Sequence, residues 1–280
     1  MALLRWLLAL VFATISCWLV GKSFRFQPPN PVQRASSSSS ISWQDYITPP
    51  PPPWLPADWL AHLTTQAGLP DVPPDDASSP QMTQSLLALR QALEATPWIT
   101  HARLQSAPQP LLSVQWTQAV PVHFVAQAKS SPHALWWAGE NGLWLAPVSD
   151  HTLLDTVDVI PVYSVSTSFN PPQTCQPLSH CLAHAVRLAL FLNPHRTLMN
   201  LASIQVIKHP IQTEILVLTR SGSHILWETL DTPSAGAVSD TEKLERLLEY
   251  IRLWQSLDKP AGPYFFDNRF PHTLFRKPLK

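Results

Sequence analysis

Apolar residues run without charge from Trp6 to Gly21, thin out, and return in periodic form near Ala57. Met82, Leu86, Leu89 and Leu93 are spaced by four, three and four, the stripe of a helix packed on one side, so a helix is predicted over Gln81 to Ala95. Thr96-Pro97 ends it. A shorter helix, Trp59 to Ala67, is predicted before it, with Asp58 as its N-cap and Gly68 and Pro70 as its stop. The period then falls to two. Leu112, Val114 and Trp116 alternate with Ser113, Gln115 and Thr117, which predicts a half-buried strand. Another strand-like run, Ile99 to Gln105, precedes it across Pro108 and Pro110, and Pro121 opens a third, Val122 to Ala126. Two helices, two strands and a short third piece make a small unit over 57–128.

Beyond Lys129 the pattern is of many short strands. Leu135 to Ala138 and Leu143 to Ala146 flank Asn141-Gly142, a hairpin signal that predicts a type I′ turn. Strands are predicted over Val157 to Val165, Ile204 to Lys208, Thr213 to Arg220 and His224 to Thr229, with a helix near Leu182 to Leu192. Asp240 or Thr241 is expected to cap a second helix whose apolar stripe is Leu244, Leu247, Leu248, Ile251, Trp254 and Leu257. Tyr264 to Phe270 and Thr273 to Lys277 are predicted as a last strand pair. The fold class expected is α+β: a small domain of helices on a short sheet, then a larger mixed β domain with two helices over 129–280.

Composition changes the reading of the front of the chain. Residues 22–56 are rich in Pro, Ser and Gln, including Ser36 to Ser40 and Pro49 to Pro53, and read as a linker of extended polyproline character. The apolar run before it reads as an uncleaved transmembrane helix over 6–21, behind a short cytoplasmic start at 1–5. The chain has 30 prolines against 7 glycines, so its joints are stiffened. Lys+Arg and Asp+Glu are each 19. That balance gives no electrostatic footprint for nucleic acid, which is not expected as a partner.

No motif demands chemistry. A phosphate loop, a nucleophile elbow, an HExxH helix and paired-cysteine zinc spacing are all lacking. No catalytic residue, cofactor, metal or small-molecule substrate is expected. One cluster, Cys175, His180, Cys181 and His184, is weighed as a metal site. A disulfide between Cys175 and Cys181 ranks above free thiols, and free thiols above a metal. Asp267 and Arg269 read as a solvated strand pair. The apolar edge near Phe265, Phe266, Phe270, Leu274 and Phe275 is a different matter, because an unpaired apolar edge recruits another strand.

The motifs carry a resemblance. Ala95-Thr96-Pro97-Trp98-Ile99-Thr100-His101-Ala102-Arg103-Leu104, then Pro108-x-Pro110-Leu111-Leu112-x-Val114 and Ala119-Val120-Pro121-Val122, resemble the second half of the POTRA domain of FtsQ/DivIB cell-division proteins. Glu140-Asn141-Gly142-Leu143-Trp144, Asp158-Val159-Ile160-Pro161-Val162, Thr219-Arg220-Ser221-Gly222, Lys243-Leu244-x-Arg246-Leu247 and Asp267-Asn268-Arg269-Phe270 follow in the order of that family's later motifs. At the front, the family's first strand is either lost or replaced by Trp43 to Thr48.

The resemblance implies a non-catalytic bitopic scaffold in the cell inner membrane, single-pass, with its C-terminal part in the periplasm. Its implied partners are the FtsB/FtsL-like coiled-coil pair, bound by strand addition. That role would fall on Tyr264, Phe265, Phe266, Asp267, Asn268, Arg269, Thr273, Leu274, Phe275 and Arg276. Two alternatives stay open: a POTRA-type component of envelope assembly or secretion, and a cell-envelope enzyme with a Cys/His site.

Overall fold

The computed structural model describes residues 42–279 except 57, 75, 77–78, 107–108, 127–133, 149–153, 155–156, 167–171 and 231–237. Its first part is built around two helices, α1 (Trp59–Gln66) and α2 (Pro80–Glu94). Ser79 caps α2 by accepting from the Met82 N–H at 3.1 Å, and Pro80 starts the helix where its missing N–H costs nothing. The expected stripe is the buried face: Met82, Leu86, Leu89 and Leu93 are all inaccessible. Three strands complete this part: β1 (Ile47–Thr48), β2 (Ile99–Gln105) and β3 (Leu111–Trp116). Their order is β1-β3-β2, with β1 parallel and β2 antiparallel to β3.

Residues 42–56 fall within the span expected as linker, yet they are folded. A 3₁₀ turn, Trp43–Tyr46, closed by a Ser42/Asp45 capping box, leads into β1. Trp43 is 2% exposed, and its indole N–H donates to the Pro70 carbonyl at 2.8 Å. Ile47 and Thr48 lie opposite Leu112 and Ser113. Trp43, Tyr46, Ile47 and Trp54 are all buried. A few large apolar residues are enough to fold a stretch whose average composition reads as unstructured.

The remaining strands are β4 (Ala119–Ala126), β5 (Ala134–Gly139), β6 (Trp144–Pro147), β7 (Val162–Ser166), β8 (Leu201–Lys208), β9 (Thr213–Thr219), β10 (His224–Leu230), β11 (Tyr264–Asp267) and β12 (Phe275–Pro278). They form one sheet in the order β12-β11-β10-β9-β8-β7-β4-β5-β6. Helix α3 (His180–Leu192) joins β7 to its parallel neighbour β8, and α4 (Asp240–Trp254) joins β10 to its parallel neighbour β11. These are two βαβ crossovers.

The expected fold class, α+β with a small separate domain and a β domain, is therefore corrected. The protein is mixed α/β, with four α-helices among the described residues and a nine-stranded sheet. Helices alternate with parallel strands instead of lying apart from an antiparallel sheet. The third run of the expected small unit is β4, which pairs with β5 and β7 in the large sheet. Trp137 of β5 and Leu145 of β6 lie in the same apolar core as α1, α2 and the three-stranded sheet. Residues 41–280 are one compact unit.

The expectation of a membrane anchor is also corrected. No helix among the described residues is long and apolar enough to cross a membrane. The longest, α2 and α4, have 15 residues. Such a helix spans roughly 22 Å, against a hydrocarbon core of about 30 Å. No described helix supports a single-pass inner-membrane protein with a periplasmic C-terminal part, and the expected helix over 6–21 lies outside the described residues.

The β5–β6 hairpin differs from a type I′ turn. Gly142 takes the positive φ, 79°, while Asn141 does not, and the Gly142 N–H donates to the Gly139 carbonyl at 3.0 Å. This is a turn followed by a left-handed glycine. Asn141 serves through its side chain, whose Nδ2 donates to the Pro97 carbonyl at 3.0 Å and so ties the hairpin to the start of β2.

Candidate functional site

The sheet ends at β12, and α4 sets the position of that end. Ser239 caps α4 by accepting from the Glu242 N–H at 3.2 Å, and Leu244, Leu247 and Ile251 bury its inner face. The helix stops at Gln255, whose φ is 65°. Asp258 then accepts from the Ser223 hydroxyl at 2.5 Å, and Ser223 Oγ in turn accepts from the Tyr264 N–H at 2.9 Å. The start of β11 is thereby pinned to the β9–β10 turn. Strand β11 runs parallel to β10, with Phe265 beside His224 and Asp267 beside Leu226. Tyr264 and Phe266 point into the core, while Phe265 and Asp267 are half-buried on the other face.

After β11 the chain turns back. Asn268 is inaccessible; its N–H donates to the Leu226 carbonyl at 3.1 Å and its Nδ2 to the Lys243 carbonyl at 3.0 Å. Arg246 of α4 holds the turn like a fork, donating to the carbonyls of Asn268 (3.0 Å), Thr273 (3.1 Å) and Phe270. Strand β12 then pairs antiparallel with β11, and all four of its residues are exposed. Leu279 N–H donates to the Pro263 carbonyl at 2.9 Å. In an antiparallel ladder the bonded pairs alternate, so Phe275 and Lys277 also face β11 with their main-chain groups. Arg276 N–H and C=O, with the Pro278 carbonyl, face the open side.

Cations and rings pair around this strand. The Arg276 guanidinium lies 4.9 Å from the Tyr264 ring centre, 5.5 Å from Tyr250 and 5.6 Å from Trp254, and it donates to the Tyr250 hydroxyl. Lys277 Nζ lies 4.8 Å over Phe265. Phe270 and Phe275 meet edge-on at 5.3 Å and remain 46% and 55% exposed. Arg269 grips Asp267 through Nε at 2.9 Å and Nη2 at 2.7 Å, and donates to Thr229 Oγ1 at 2.7 Å. The hydrogen bonds to Asp267 raise the Arg269 pKa above its ordinary value against the opposing effect of burial. The pair is a half-buried clamp between β10 and β11, where a solvated strand pair was expected.

The ten expected partner-facing residues thus divide. Tyr264, Phe266 and Asn268 are buried and position the edge; Phe265, Asp267, Arg269 and Leu274 are half-buried; Thr273, Phe275 and Arg276 are exposed. Arg246, Tyr250 and Trp254 complete the site from α4. Their spacing of four was visible in the sequence, but Trp254 read as part of the core stripe; it is exposed. The chain matches no protein-family model, and it has no match among curated proteins.

A second constellation lies beside α4. His184 Nδ1 is 3.2 Å from Glu228 Oε2, and its Nε2 is 3.6 Å from Asp240 Oδ2. Lys243 Nζ lies 4.0 Å from Glu228 and 3.8 Å from Asp240. The buried indole of Trp227 donates to Asp240 Oδ1 at 2.7 Å. Among the described residues, His184, Glu228 and Asp240 are the group that could hold a metal ion. Cys175 and Cys181, weighed with His184 in the sequence, are not part of it. Both are free thiols, Cys175 exposed and Cys181 half-buried, so the disulfide expected between them is not formed.

Burial pushes the Asp240 carboxyl up, but the His184 imidazole 3.6 Å away, the hydrogen bond from Trp227 and the charge of Lys243 together outweigh it and hold the pKa below 3.8. A depressed carboxyl pKa stabilises the fold above the unfolded value and loses that contribution as pH falls through the folded one. Below pH 3.8 the wild-type chain should therefore lose stability more steeply than Asp240→Asn. Thermal unfolding followed from about pH 5 to about pH 2 checks this. Lys243 shifts the opposite way for its charge: burial, against the pull of Glu228 and Asp240, lowers its pKa from 10.5.

Proposed function

We propose that this chain is a non-catalytic scaffold of the cell-division machinery, of the FtsQ/DivIB type, and that it binds an FtsB/FtsL-like coiled-coil pair by adding a partner strand to β12. The observation that carries the reading is the open side of β12. Its outward Arg276 N–H and C=O lie in a strand exposed throughout, next to Phe275 and its ring partner Phe270. Natural sheets usually cover or interrupt such an edge, because unpaired ladder groups recruit another chain. Here Pro278 lacks an N–H and ends the available ladder, which limits the partner strand to a short segment.

Main-chain bonds to β12 supply affinity, and the side chains around it select the partner. Phe270 and Phe275 favour an apolar residue, while Arg276 and Lys277 favour acidic flanks. The ordered motifs that resemble FtsQ/DivIB proteins supply the partner class. The test is capture of the purified coiled-coil pair by the full chain and by variants of β12. Loss of capture in a folded variant that lacks the outward N–H of residue 276 supports the reading; undiminished capture overturns it.

A further inference from the structure

We propose that His184, Glu228 and Asp240 bind one divalent transition-metal ion, of the borderline class served by imidazole and carboxylate together, with zinc the first choice. This does not rest on the scaffold reading. The three residues come from three elements: His184 from α3, Glu228 from β10 and Asp240 from the first position of α4. One ligand atom from each lies within 4.8 Å of the other two. Zinc holds nitrogen and oxygen ligands at roughly 2.0–2.2 Å, so small side-chain rotations close the set. Three protein ligands leave a fourth position for water.

The imidazole distinguishes this group from an ordinary acidic cluster. His184 Nε2 is a buried nitrogen with no hydrogen-bond partner. The two ring nitrogens face the two carboxylates, Nδ1 toward Glu228 at 3.2 Å and Nε2 toward Asp240 at 3.6 Å; the metal takes the Nε2 lone pair, and Glu228 turns away from Nδ1 to join it. Two electron-rich groups then face each other across a gap that a cation fills. The Trp227 indole, itself inaccessible, fixes the other Asp240 oxygen at 2.7 Å. Such outer partners orient ligating carboxylates, and their loss typically costs ~10–100-fold in metal affinity.

Lys243 is the competitor. Its side chain is 4% exposed and its ammonium faces both carboxylates at 3.8–4.0 Å. The site therefore holds a built-in cation at a distance too long for hydrogen bonds. A metal ion must work against that charge, so removal of the ammonium strengthens metal binding. This sign separates a real site from adventitious binding at surface histidines, which Lys243 would not influence. Occupancy would fasten the start of α4 to α3 and β10, and α4 carries the Arg246 fork that holds the β11–β12 turn.

The experiment is calorimetric titration of the full, chelator-treated chain with zinc, repeated with cobalt(II) to read the visible absorption of a tetrahedral ion. One ion per chain is expected. Affinity should fall at least about tenfold in His184→Ala and in Glu228→Gln, rise in Lys243→Met, and stay unchanged in the double variant Cys175→Ser/Cys181→Ser. Circular dichroism establishes that each variant is folded, and the near-isosteric Glu228→Gln serves where His184→Ala is not. Absence of saturable binding overturns the proposal, as does binding that ignores His184 and Lys243 or that disappears with the cysteines.

Discussion

Arg276→Pro should weaken capture of the coiled-coil pair far more than Arg276→Ala does. Both substitutions remove the guanidinium from the rings of Tyr250, Trp254 and Tyr264. Only proline also removes the N–H at position 276, which the ladder alternation directs away from β11. The inner bonds of β12 belong to residues 275, 277 and 279, so neither change removes a bond to β11. A ladder bond is worth about 1 kcal/mol net, and a partner carbonyl left facing a proline ring costs more. Together these correspond to a loss of roughly ten- to a hundredfold beyond that of Arg276→Ala. Titration of the labelled pair into each variant measures the difference, with thermal unfolding as the control for the fold.

The second large effect is expected at Arg246. Its guanidinium joins three carbonyls, of Asn268, Phe270 and Thr273, that would otherwise have no common anchor. Arg246→Met keeps the apolar stem and removes every donor. Hydrogen bonds to a charged group contribute about 1.5–3 kcal/mol, and the solvent side of the turn recovers part of this, so a destabilisation of about 2 kcal/mol is expected in urea unfolding. The larger effect is on the edge: the turn between β11 and β12 loses its support, and capture of the pair should fall although no residue of β12 has changed. Arg246→Lys should not restore it, because a single ammonium cannot reach three carbonyls in the geometry of the planar fork. Rescue by lysine would mean that charge alone matters.

What the sequence made legible follows the local periods. The four-three-four spacing from Met82 to Leu93 marks a buried helix face, and α2 is that helix. The last strand pair was also visible, as the runs Tyr264 to Phe270 and Thr273 to Lys277, although the strands themselves are the shorter Tyr264–Asp267 and Phe275–Pro278. Local patterns fail where pairing is distant. Ala119–Ala126 follows β3 closely in the chain, yet it pairs with Val162–Ser166 in the large sheet, a partner that no local spacing reveals. β1 was only half legible: proline-rich composition places it in the expected linker over 22–56, while the alternative that Trp43 to Thr48 stands in for a first strand stays open, and β1 (Ile47–Thr48) lies in that stretch.

The candidate sites divide in the same way. The edge residues are contiguous, so their apolar excess shows in sequence; Arg246 contributes from a helix 22–27 positions away, and its role depends on the parallel crossover. His184, Glu228 and Asp240 are separated in the chain and meet only because α3 and α4 pack against the sheet that carries β10. The cysteine-histidine cluster near His184 drew attention to the right helix for the wrong partners. Its cysteines precede the buried face of α3, while His184 points to Glu228 and Asp240.

The most direct measurement of the central claim is amide hydrogen exchange of residues 274–279 in the full chain, free and with the coiled-coil pair. Addition of a strand to β12 gives the outward Arg276 amide a partner. Its exchange should slow at least about tenfold on binding, together with that of alternate amides in one short segment of the pair. The inward amides of Phe275 and Lys277 should change less. If the pair binds and the Arg276 amide exchanges as fast as in the free chain, the partner is held elsewhere and strand addition at β12 is contradicted.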